Sequence, residues 1–125
     1  MRRTDIGYAL SSLVGLGITA VGTRFLVSPA KAAAAYGISV GQEVSDADPY
    51  LSVKGVRDVA SGLMTFVLIA AREPHALAGF LLAATVIPVG DAVIVLRGGG
   101  RKSTVYGVHG ATAAAMVATA AILLG

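Results

Sequence analysis

Residues 50–71, YLSVKGVRDVASGLMTFVLIAA, decide how the rest of the chain is read. The stretch is long enough to cross a bilayer, which takes about 20 apolar residues. Yet Lys54, Arg57 and Asp58 stand in its first half. At 3.6 residues per turn, Lys54, Arg57, Asp58, Ser61, Gly62 and Thr65 fall on one side of a helix. Val56, Val59, Ala60, Leu63, Phe66 and Val67 fall on the other. Ionisable side chains at membrane depth turn toward protein or a water-filled cavity, so this helix is expected to have partners.

Three further apolar segments surround it: Ile6 to Val27, His75 to Leu96 and Val105 to Leu124. Each is long enough to span. Hydrophobic residues make up 55% of the 125 and charged residues 14%, where a soluble domain carries about 25% charged residues. Four such segments would leave a soluble protein too little polar surface. The fold class is therefore all-α: a single integral membrane domain over residues 1–125, a transmembrane four-helix bundle with helices at about 6–27, 50–71, 75–96 and 105–124. The expected location is the bacterial inner membrane, with the lipid bilayer as first partner. The first segment follows Arg2-Arg3, but Asp5 interrupts the basic lead and Arg24 precedes the Ala30-Lys31-Ala32 stretch. It is expected to be a retained span rather than a cleaved leader.

Ser28 to Pro49 is the long connection. Ser28 and Pro29 read as a helix start, Ala32 to Ala35 as strong helix formers and Gly37 as a stop. A short interfacial helix is expected there, then a polar turn through Gln42, Glu43, Asp46 and Asp48. In the third span Pro88 withholds an N–H from the carbonyl of Ala84, predicting a kink one turn before Asp91. Small residues recur every fourth position at Gly7, Ser11, Gly15 and Thr19, and again at Gly110, Ala114 and Ala118; both sets predict close helix packing. Homo-oligomerisation through such faces is a further expectation.

Several function classes fall away. The net charge of +3 comes from scattered basic residues with no aromatic platform, so nucleic acid is not an expected partner. Cysteine is absent, which removes disulfides and thiolate chemistry. Arg97-Gly98-Gly99-Gly100-Arg101-Lys102-Ser103 lacks the spacing of a phosphate loop and reads as a basic turn. No ligand spacing supports a metal site, and no cofactor is implied.

The functional argument comes from which end of each span is polar. With the N-terminal side called A and the opposite side B, Arg24 closes the first span at B. Lys54, Arg57 and Asp58 open the second at B, Asp91 lies near the end of the third, and His109 near the start of the fourth. All four spans thus place their polar groups in one half. Asp58, Asp91 and His109 are the candidate acid–base groups, and Arg24, Lys54, Arg57 and Tyr106 the candidate ligand-binding groups. Charge pairing is expected between Arg57 and Asp91, and between Asp58 and Lys54, Arg24 or His109. The leading expectation is an intramembrane polar pocket that binds or converts a small lipophilic or anionic molecule. A proton-linked transporter acting as a dimer and an accessory subunit of a larger membrane complex are the rivals. A salt-bridge network that only fixes helix order is the bland alternative.

The run Arg24…Pro29…Tyr36-Gly37, then Lys54-Gly55-Val56-Arg57-Asp58 with Gly62, then Pro88-Val89-Gly90-Asp91 and His109-Gly110, resembles a family of small membrane proteins. That family is catalogued as a domain of unknown function, seen in actinobacteria and fungi and similar in layout to DoxX-like four-helix proteins. The resemblance covers nearly the whole chain. It implies fold and membrane location, and brings no activity with it.

Overall fold

The computed structural model describes residues 1–38 and 49–125, so the polar turn expected through Gln42, Glu43, Asp46 and Asp48 lies outside the described residues. Helix α1 runs Arg3–Val27, α2 Pro29–Tyr36, α3 Pro49–Ala70, α4 Pro74–Ala84 and α5 Val86–Arg97. A short α6, Lys102–Thr104, leads into a π-helical turn, Val105–Gly110, and α7 follows as Ala111–Leu124. Among the described residues no strand occurs. The spans Arg3–Val27, Pro74–Arg97 and Lys102–Leu124 are long and apolar enough to cross a membrane. Helix α3 has the length, at 22 residues, but carries three charged residues, Lys54, Arg57 and Asp58.

Local chemistry sets the boundaries. The Arg2 backbone N–H donates to the Asp5 carboxylate at 3.1 Å, tying down the first turn of α1. Pro29 opens α2 where an N–H would go unused. Gly37 ends it in the left-handed region at φ 91°, and the Ile38 N–H donates to the Ala33 carbonyl at 3.0 Å. A Cβ at Gly37 would be strained by that φ and would also meet Thr104 and Val95 side chains at 2.9 Å. The short helix and its stop at Gly37 thus agree with the reading of the sequence.

The kink expected from Pro88 takes the form of an interruption at Thr85, three residues earlier, which divides the segment into α4 and α5. Proline removes a backbone donor and crowds the turn preceding it. The Thr85 hydroxyl donates back to the Leu81 carbonyl at 2.7 Å, anchoring the end of α4. The apolar segment from Val105 to Leu124 is not a uniform α-helix, because it opens with the wider π-helical segment around Gly107 and Gly110.

The most extensive packing is between α1 and α3. Gly7, Ser11, Gly15 and Gly22 of α1 are buried, as are Gly55, Gly62 and Thr65 of α3. The spacing read in α1 therefore marks a packed face. The matching stripe in α7 does not: Ala114 and Ala118 are exposed, and Met116, Thr119, Ala120 and Leu123 turn inward instead. Toward side A, Leu77, Ala78, Leu81, Met116, Ala120 and Leu123 form one core cluster. Toward side B, Phe25, Ala32 and Ala33 form a second, with Val21, Tyr36 and Leu51 against it. Outward faces carry Leu16, Val56, Leu63, Val67, Val86 and Ile94, the surface that lipid contact calls for.

Candidate functional site

At the side-B end α1 stays paired with α3, while α5 packs chiefly on the π-helical turn. Between the two pairs lies a cavity of about 370 Å³, within the size range of small-molecule sites. Its walls toward side A are apolar: Leu13, Val14 and Ile18 from α1, Phe80 and Leu81 from α4, and Met116 from α7. Its other end carries Tyr36, Asp58, Asp91 and His109. Ser61, Thr65 and Thr112 lie between. Their hydroxyls donate to the Arg57, Ser61 and Val108 carbonyls at 3.0, 3.0 and 2.6 Å, so these polar groups are satisfied within their own helices.

Each polar group is held differently. Asp58 accepts from Lys54 Nζ at 2.6 Å, with the two side chains 14% and 23% exposed. The i, i+4 spacing on α3 makes this pair local. The same ammonium lies 4.6 Å from the Phe25 ring centroid and 4.2 Å from that of Tyr36, within cation–π range. Asp91 instead accepts a hydrogen bond from the Tyr36 hydroxyl. His109 is 2% exposed, and its Nε2 lies 2.9 Å from the Tyr36 carbonyl oxygen. A carbonyl only accepts, so Nε2 carries the hydrogen and Nδ1 is the atom at which this imidazole gains or loses a proton.

Tyr36 is thus the residue that joins the groups. Its ring meets Phe25 edge-on at 5.5 Å between centroids and His109 at 4.4 Å. Its phenol pKa is raised well above the ordinary tyrosine range, first by burial, then by the hydrogen bond to Asp91 and the charges of Asp91 and Asp58. The phenol is therefore a donor, fixed in that role. Nothing in the sequence marks Tyr36 for this role, because tyrosine at a membrane boundary is ordinary.

The candidate residues divide. Asp58, Asp91 and His109 all line the cavity. Lys54 stands behind Asp58 rather than on the wall. Arg24, Arg57 and Tyr106 are exposed, and none lines the cavity. The expected Arg57–Asp91 pair is not formed: among the described residues Asp91 meets Tyr36, and the Asp58 partner is Lys54. The reason is angular. Arg57 precedes Asp58 by one residue, about 100° around α3, which carries it off the inward face.

Over residues 15–123 the chain belongs to the family described as Domain of unknown function (DUF4267). Neither a curated protein nor a solved structure matches it.

Proposed function

We propose that this DUF4267 protein is a multi-pass membrane protein of four spans, and that its cavity binds a small lipophilic molecule carrying one polar group. The observation that carries this reading is the division of the cavity: apolar walls toward side A, and Tyr36, Asp58, Asp91 and His109 at the other end. The apolar part of a guest lies between α1, α4 and α7, and its polar group among the carboxylates. Asp91 and Nδ1 of His109 are the groups that would exchange a proton with it.

The outward face of α3 supports a fourth span. Val53, Val56, Leu63, Met64 and Val67 are exposed there, and 22 residues reach about 33 Å at 1.5 Å per residue. Lys54 and Asp58 satisfy each other on the inward side. Arg57, eight residues after Pro49, is near enough to the side-B surface for its long side chain to snorkel.

Gly17 supplies the test. It lines the cavity, and a Cβ built there meets nothing within 4 Å, so Gly17→Leu should fill the cavity without disturbing the helices. The probes are 1-octanol and 1-octylamine, added to the protein in dodecylmaltoside. At ten times Kd, a bound probe is expected to raise the unfolding temperature of the wild type by roughly 5 °C. Gly17→Leu should fold normally and lose that response. An equal response in both proteins would place probe binding elsewhere and remove the proposal.

A further inference from the structure

The charges around the cavity narrow the class of guest, an inference that rests on the binding reading above. Asp58 is neutralised within its own helix, because Lys54 Nζ lies 2.6 Å away and is held over the Phe25 and Tyr36 rings. Among the described residues Asp91 has only the Tyr36 phenol, a neutral donor, and no cation forms an ion pair with it. His109 spends Nε2 on the Tyr36 carbonyl, and Arg24 and Arg57 are exposed and off the cavity wall. Whenever His109 carries no charge, the Tyr36 phenol, the Lys54–Asp58 pair of α3 and the His109 ring of the π-helical turn leave this end of the cavity one carboxylate in excess, that of Asp91.

In a low-dielectric enclosure that excess decides between guests of equal size. A carboxylate-bearing guest would meet two carboxylates whose one neighbouring ammonium is already engaged. An alcohol would satisfy hydrogen bonds and leave the charge uncompensated. An ammonium group would do both, donating to Asp91 as a charge-assisted hydrogen bond. We infer that the cavity takes a lipophilic amine in its ammonium form, the nitrogen at Asp91 and the hydrocarbon between Val14, Phe80 and Met116. The ligand class is narrower than the small lipophilic or anionic molecule expected from the sequence, because Arg24 and Arg57 are exposed and off the cavity wall.

The experiment uses the full chain in dodecylmaltoside at about pH 8, where octylamine is an ammonium and octanoate a carboxylate. Octylamine, 1-octanol and octanoate share one alkyl chain, and apparent Kd for each is read from thermal stabilisation at equal free concentration. Octylamine is expected to bind at least tenfold more tightly than octanol, with octanoate weakest. Asp91→Asn should lower octylamine affinity to the level of octanol and leave octanol within about twofold. Should that variant fail to fold, the wild-type ranking of the three probes decides alone. Octylamine no tighter than octanol, or unaffected by Asp91→Asn, overturns the amine assignment. Octanol binding that Gly17→Leu abolishes would in that case still uphold the cavity as a binding site. Stabilisation by none of the three overturns both readings.

Discussion

Gly22→Ala is expected to destabilise the protein by about 3 kcal/mol, at the upper end of what overpacking a filled contact costs. A Cβ at Gly22 would lie 2.6 Å from the Gly55 carbonyl oxygen and 2.8 Å from both Asp58 Cβ and the Val59 nitrogen. Two of those three atoms are backbone and cannot rotate aside. The contact is reciprocal, since a Cβ at Gly55 would lie 2.7 Å from the Gly22 carbonyl oxygen. Seven residues along, a Cβ at Gly62 would lie 2.9 Å from the Gly15 carbonyl oxygen. Helices α1 and α3 therefore touch backbone to backbone at two levels, and any side chain at Gly22 must push them apart. The upper of these levels adjoins Lys54 and Asp58, so separation there would also shift the cavity's carboxylate. Unfolding by heat or by added SDS in mild detergent measures the loss. Gly17→Ala and Gly79→Ala are the controls, because a Cβ at either meets nothing within 4 Å. They should be neutral or stabilising by up to about 1 kcal/mol, as expected when a helical glycine becomes alanine. Equal stability of Gly22→Ala and Gly17→Ala would contradict the close crossing.

This crossing shows where the sequence is legible and where it stops. The spacing of Gly7, Ser11, Gly15 and Thr19 identifies a face of α1, and most of that face is buried. Identical reasoning applied to Gly110, Ala114 and Ala118 selects a face of α7 that is largely exposed. Spacing tells which residues share a face; it does not tell whether that face meets a helix or lipid, which are about equally apolar. Ends of helices were easier, because proline and glycine act locally: Pro29, Gly37 and Pro74 sit where helices start or stop. The π-helical turn left no comparable mark beyond Gly107 and Gly110.

The site divides in the same way. Asp58, Asp91 and His109 stood out because ionisable groups within apolar spans are costly and rare. For Asp58 three partners stood open, Lys54, Arg24 and His109, and the structure pairs it with Lys54, one turn away on α3. Arg57 misled, since one helical wheel can place a residue at the edge of the polar face without saying which neighbour bounds it. Tyr36 escaped because its role is wholly tertiary: its hydroxyl, carbonyl and ring address Asp91, His109 and Lys54 from a separate helix.

Lys54→Met carries the second large effect. Methionine keeps the length and apolar body that pack against Phe25 and Tyr36, and it removes the ammonium. Asp58, 14% exposed, would then be a carboxylate without its cation, beside a cavity that also holds Asp91. Removing one partner of a largely buried pair costs about 3 kcal/mol, whereas replacing both by neutral groups of similar shape is often close to neutral. Lys54→Met is accordingly expected to lose about that much stability, and the double variant Lys54→Met/Asp58→Leu to recover most of it. The coupling energy of the double-mutant cycle, read from unfolding in detergent, isolates the pair. A cycle that closes with no coupling would mean that water reaches the pair freely, and the inward face of α3 would have to be redrawn. The variant also bears on the guest. If an ammonium is what the cavity receives, deleting the resident one leaves two carboxylates for the incoming cation, and Lys54→Met should bind octylamine more tightly than the wild type while octanol binding stays level.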